Sequence, residues 1–110
     1  MKEASDLKRF NPVEVFLNKA KDAKSKISAI YLFGSRARET HRPDSDYDLL
    51  IVVKDKSIKD RLYDAAVDTF CESGADISLK IIKQEQFQRL KQLSTPFIEN
   101  VLKEGIKIAL

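Results

Sequence analysis

Residues 29–53 constrain this chain more than any other stretch. An apolar run, Ala29 to Phe33, is short and rich in β-formers and predicts a buried strand. Gly34-Ser35 follows at once, where the chain must turn tightly. After ten intervening residues comes Asp46-Tyr47-Asp48, then a second apolar run, Leu49 to Val53. Side chains alternate along a strand, so Asp46 and Asp48 share one face, roughly 7 Å apart along it. Two carboxylates held side by side repel unless a cation lies between them, and a hard divalent ion such as Mg2+ suits them. Gly34 lets the backbone approach a ligand closely, and Ser35 is read as the start of a short helix whose free N–H groups suit phosphate. Either half alone is ordinary: Gly-Ser is a common turn, and Asp-x-Asp commonly opens a solvated strand. Strand, Gly-Ser, Asp-x-Asp and strand in that order point instead to a triphosphate and its metal.

The rest of the chain fits one small domain. It has 110 residues, 43% of them hydrophobic, enough for a real but modest core. Charged residues make up 34% with signs mixed, and the net charge of +3 is too weak to indicate nucleic acid as the main partner. No apolar run approaches the roughly 20 residues of a membrane span, and no signal-peptide pattern opens the chain. The single Cys71 excludes an internal disulfide and fits a reducing cytoplasm.

In chain order, residues 1–10 read as a tail or a helix start, and 11–110 as the domain. Asn11-Pro12-Val13-Glu14 is a helix start with Asn as N-cap and Pro at the first position. Val13, Phe16, Leu17 and Ala20 mark its buried face, and it is expected to end near Ser25. Strands are predicted at 27–33 and 47–53. Ser57 is read as the cap of a helix burying Ile58, Leu62, Ala65, Ala66, Thr69 and Phe70, stopped by Gly74. Residues 75–82 alternate: Ile77, Leu79 and Ile81 face helices, while Asp76, Ser78 and Lys80 face the more polar side. Helices at 84–93 and from Thr95-Pro96 to Gly105 follow, then a short strand at 106–110.

Gly34-Ser35-Arg36-Ala37-Arg38 followed by Asp44-Ser45-Asp46-Tyr47-Asp48-Leu49 resembles the signature of the minimal nucleotidyltransferases of the DNA polymerase β superfamily. These small proteins are often encoded beside HEPN-domain toxins. The segment Ser94-Thr95-Pro96-Phe97-Ile98 with Lys103-Glu104-Gly105-Ile106 resembles their closing stretch, so the likeness covers all but the first ten residues. It implies an α/β (α+β) fold, a small mixed sheet with helices packed mainly on one face. It also implies two Mg2+ ions, ATP as substrate, and a third carboxylate on a neighbouring strand, for which Asp76 is the candidate. Asp46, Asp48 and Asp76 are thus the expected catalytic and metal residues. Gly34 and Ser35 are the expected phosphate contacts. Arg36 and Arg38 read equally well as phosphate or partner contacts and as solvated helix residues. Glu39 departs from the Gly common at that place in the family, which puts the following loop in question but not the metal site. His41 reads as a solvated loop residue, Cys71 as a small buried or half-buried one, and Tyr47 as core packing.

Three functions remain open on the sequence. One is transfer of AMP from ATP to a hydroxyl, a Tyr by the resemblance, of a HEPN toxin, which this chain would silence as antitoxin. About thirty residues follow the third strand, too few for an acceptor-binding domain, so a partner is expected to present the acceptor. The second is a non-catalytic antitoxin acting by complex formation. The third is a small-molecule nucleotidyltransferase. Homo- and hetero-oligomers are both compatible with the chain.

Overall fold

The computed structural model describes residues 2–4, 11–38 and 46–109, with the side chains of 12–37 and 46–109. Its strands are β1 (Lys2–Ala4), β2 (Ile27–Phe33), β3 (Tyr47–Val53), β4 (Ile77–Lys83) and β5 (Ile106–Ile108). Its helices are α1 (Asn11–Lys19), α2 (Ser35–Arg38), α3 (Lys59–Ser73), α4 (Gln84–Leu93) and α5 (Pro96–Glu104). Among the described residues they form one mixed sheet in the order β1-β5-β2-β3-β4. β2 runs antiparallel to β3 and β5, while β3 and β4 are parallel, joined by the α3 crossover that parallel pairing requires.

Strand alternation sorts the core into two clusters. Leu49, Ile51 and Val53 of β3 join Ile30 and Leu32 of β2 beneath α1 and α3, with Phe16 and Leu62 fully buried between them. Leu50, Val52 and Tyr31 point the other way, beneath Phe87 of α4 and Ile98 and Val101 of α5. The first cluster is the larger, but helices lie on both faces, α1 and α3 on the first and α4 and α5 on the second. The second face is covered only in part, and its uncovered end carries the site.

Each main helix follows its sequence. Leu62, Ala65, Ala66 and Thr69 recur at helical spacing and are buried, and the Thr69 hydroxyl donates to the Ala65 carbonyl at 2.7 Å, so its polar atom is satisfied. Gly74 ends α3 in the left-handed region, and its N–H donates to the Phe70 carbonyl at 2.8 Å. Pro96 opens α5, capped by Thr95, whose Oγ1 accepts from the Ile98 N–H. Two ion pairs tie α3 to the segment of α1 and its following turn, Lys19–Glu72 at 3.2 Å and Arg61–Asp22 at 3.0 Å.

Five expectations need correction, the first of them Cys71, read as buried or half-buried but exposed on α3. Lys2–Ala4, read as tail or helix start, is an edge strand parallel to β5. The first helix ends at Lys19, and a 3-10 stretch, Lys21–Lys26, carries the chain into β2. Ser57 is not the cap before α3. The Asp55 carboxylate accepts from the Ser57 N–H at 2.8 Å and caps a short 3-10 turn, with α3 itself starting at Lys59. Phe70, expected in the core, is 49% exposed. It lies on the rim of the buried arc of α3, and β4 below is an edge strand, so no further layer covers it. The Asn11 cap side chain and the loop with Glu39, His41 and Pro43 lie outside the described residues.

Candidate active site

Topology gathers the motif at one end of the sheet. β2 is antiparallel to β3 and β4, so the end of β2 at Phe33-Gly34 lies beside the starts of β3 and β4. Phe33 pairs with Asp48, and Asp48 in turn with Ser78. Asp46 precedes β3 on the same side as Asp48. The pairing of Tyr47 with Ile77, carried back by one residue, sets Asp76 beside Asp46. The Asp76 carbonyl accepts from the Tyr47 N–H at 2.9 Å, which fixes this register.

The closest contact of the site is between Gly34 and Asp48. Gly34 has φ +75°, and a Cβ added to it would overlap Asp48 Oδ2 and lie 3.3 Å from Asp48 Cγ. Glycine is therefore required twice, for the backbone turn and for the carboxylate that rests on it. The Ala37 N–H donates back to the Gly34 carbonyl at 3.2 Å and closes the turn into α2. Ser35 is half-buried at the first position of α2.

Asp48 is held in an electrostatically costly place. Partial burial raises its pKa above the ordinary aspartate value, and the negative charge of Asp46 raises it further. A cation between the two would relieve both penalties. These oxygen donors fit a hard ion such as Mg2+. Asp76 is exposed, and among the described residues no three His, Cys, Asp or Glu side chains converge as a ready-made metal cluster. The structure thus brings Asp46, Asp48 and Gly34 together, and sets Asp76 alongside without closing on them.

The arginines part company. The Arg36 guanidinium carbon lies 4.2 Å from the centroid of the Tyr47 ring, a cation–π contact. Tyr47 points away from the carboxylates and packs against the larger core cluster, as its place between them predicts. The Arg38 backbone closes α2.

Several residues around the site escape the sequence reading. A pocket of about 150 Å³ lies between Gly34 and α5, bordered by Phe33, Phe97, Asn100 and Glu104. Phe33 and Phe97 meet edge-to-face at 5.4 Å and form an apolar wall beside Asp48. Lys80 holds its ammonium 4.8 Å from the Phe97 ring centroid, on the site face of β4. The α5 residues recur at helical spacing and read as core; only the fold brings them to Gly34. A larger cavity of about 190 Å³, between Lys21, Lys24 and Ile27, lies at the opposite end of β2, away from the chemistry.

A family model described as Polymerase beta, Nucleotidyltransferase matches residues 16–109. The chain belongs to the polymerase β nucleotidyltransferase family. That is the superfamily to which the motif residues pointed. Among solved structures, the nucleotidyltransferase fold here is similar to a toxin–antitoxin protein with AMP-PNP, at TM-score 0.56 and 23% identity, over 88% of this chain and 69% of that one. A putative nucleotidyltransferase from Sulfolobus solfataricus aligns at TM-score 0.53 and 18% identity, over 92% and 79%. The tri-AMPylated Shewanella oneidensis HEPN toxin in complex with MNT antitoxin gives 0.51 and 16%, over 90% and 70%. No curated protein sequence matches the chain. Among the described residues no helix is long and apolar enough to cross a membrane.

Proposed function

We propose that this nucleotidyltransferase moves AMP from ATP to a hydroxyl, that of a Tyr, on a HEPN-domain toxin, and that it works in the cytoplasm as the antitoxin of that pair. The observation that carries the reading is the Asp46–Asp48 pair, with the Asp48 carboxyl resting on the Gly34 turn where a side chain on residue 34 would go. Residues after β4 go into α4, α5 and β5, which are spent on covering the sheet, so the acceptor is supplied from outside them. A fold shared with an antitoxin bound to an AMPylated HEPN toxin supports this choice of acceptor.

In this reading Gly34 and Ser35 hold the terminal phosphates through backbone N–H and the Ser35 hydroxyl. Asp46 and Asp48, with Asp76 beside them, would hold Mg2+, which when bound offsets charge on the phosphates and lowers the pKa of the acceptor hydroxyl. The acceptor oxygen attacks the α-phosphorus in line. A phosphodiester forms, the bond to pyrophosphate breaks, and the hydroxyl proton passes to the Asp76 carboxylate. Arg36, stacked on Tyr47, steadies α2 and with it the phosphate turn.

The test uses the purified chain with α-labelled ATP, Mg2+ and the product of the adjacent gene. Label on that protein, lost with Asp46→Asn, is the expected result. Near-normal transfer by Asp46→Asn would sink the site assignment. The stand-off of Asp76 from the pair favours one second reading, an antitoxin that neutralises by binding alone. A tight complex that never takes up label would establish it.

A further inference from the structure

Among the described residues, helix α3 carries an outward face that no other element covers, with its own Lys59 ammonium 6.0 Å from the Tyr63 ring centroid. Tyr63, Val67 and Phe70 are 42%, 61% and 49% exposed and follow one another at i, i+4 and i+7, an apolar stripe roughly 10 Å long. Beside it runs a second row, Asp60, Asp64 and Asp68, all exposed. The acidic residues on the far flank of α3 and the turn after α1 are paired, Glu72 with Lys19 and Asp22 with Arg61. Among the described residues no cation pairs with Asp60, Asp64 or Asp68, although the chain as a whole carries +3. A segregated acidic row on a basic protein, bordering an aromatic stripe, selects a partner of opposite pattern.

The position of the stripe ties it to the site. α3 runs back from the end of β3 to the start of β4, so its C-terminal turn lies at the sheet end that carries Asp76. Phe70 precedes Asp76 by only six residues. A protein lying along α3 would reach the carboxylates with a group projecting from the Phe70 end. A second copy fits badly, because an antiparallel two-fold pairing of α3 sets the two aspartate rows on the same side.

We propose that the α3 stripe is the surface on which the protein acceptor docks. The acceptor meets it with an amphipathic helix whose apolar ridge is bordered by Lys or Arg. This rests on the reading above that the acceptor is a protein.

Two double variants test it with the full chain and the HEPN-domain toxin proposed above as its acceptor. Val67→Ser with Phe70→Ser removes the stripe. Asp64→Lys with Asp68→Lys reverses the row. All four side chains are exposed, so circular dichroism should be unchanged. Each variant is expected to weaken the complex by about 10-fold or more by calorimetry, and charge reversal should also abolish its salt dependence. The single Cys71, exposed on the same face, gives a second readout: its alkylation should slow in the wild-type complex. The proposal is overturned if both variants bind as the wild type does, or if Cys71 reacts at the free rate in the complex. It is equally overturned if the wild type binds no such protein, or if the stripe instead makes the chain a homodimer that the Val67/Phe70 variant dissolves. Failure of the catalytic reading looks different: the variants weaken the complex, yet no label reaches the partner even from the wild type. Full-rate labelling by both variants at limiting partner would leave catalysis standing and remove the docking surface.

Discussion

Gly34→Ala isolates the contact on which the site is built. Gly34 and Gly74 both have φ +75°, but a Cβ at Gly74 meets nothing within 4 Å, whereas at Gly34 it overlaps the Asp48 carboxyl. Gly74→Ala therefore measures backbone strain alone, about 1–2 kcal/mol for an L-residue in the left-handed region. Gly34→Ala adds the displacement of Asp48. The overlapping atom is the far end of a side chain, so Asp48 can rotate away, at a further cost of about 0.5–1.5 kcal/mol. The total is then about 1.5–3.5 kcal/mol, with each kcal/mol lowering the melting temperature of a domain near this size by about 4–8 °C. Truncating Asp48 in the same chain should return the excess, so Gly34→Ala with Asp48→Ala should cost little more than Gly74→Ala. Catalysis should suffer more than stability: moving a ligand carboxylate by about 1 Å costs on the order of 100-fold in transfer. Urea unfolding at pH 7 gives the stabilities, and label transfer gives the activity. The reasoning fails if Gly34→Ala costs no more than Gly74→Ala, or if Gly34→Ala and Asp48→Ala are additive to within about 0.3 kcal/mol. It fails as well if the Gly34→Ala protein transfers label normally.

Further outcomes follow from the same geometry. The folded pKa of Asp48 is raised by burial and then by Asp46, so its contribution to stability is full at acid pH and is lost as pH rises through the folded value. Metal-free Asp48→Asn should thus be more stable than the wild type at pH 7, with the gap closing as pH falls below the carboxylate range, by denaturant titration at each pH. Mg2+ should raise the melting temperature of the wild type and not that of Asp48→Asn, since only a site that binds the ion gains from it; equal shifts would place the ion elsewhere. Leu62→Ala empties a fully buried position under α3 and should cost about 2–5 kcal/mol in unfolding experiments, while leaving metal affinity intact if the site depends only on the far face of the sheet.

Much of the fold was legible because period is a local property. Ile27–Phe33, Tyr47–Val53 and Gln84–Leu93 lie where apolar runs and helical spacing put them, and Gly74 ends α3 as a residue free of Cβ should. The misreadings have local causes too. Asp55 outcompetes Ser57 as a cap because its carboxylate reaches the Ser57 N–H, a choice between neighbouring acceptors that composition does not rank. Phe70 looks like core because it follows the buried residues at helical spacing. Its exposure depends on how many strands lie beneath α3, and β4 is the edge.

The sequence alone determined the alternation that sets Asp46 and Asp48 on one side of β3, and the glycine that lets the chain turn ahead of them. Strand geometry has a fixed period of two, so no partner is needed to know it. Only the tertiary structure decided what surrounds that pair. Antiparallel pairing of β2 with β3 carried Gly34 onto Asp48, and parallel pairing of β4 set Asp76 alongside but apart. Packing of α5 brought Phe97, Asn100 and Glu104 against the turn, and the place of β4 at the sheet edge left Tyr63, Val67 and Phe70 in the open. Each of these joins residues far apart in the chain. Which of them meet is fixed by the order of strands and the side from which helices cover them, and no single stretch of sequence carries that order.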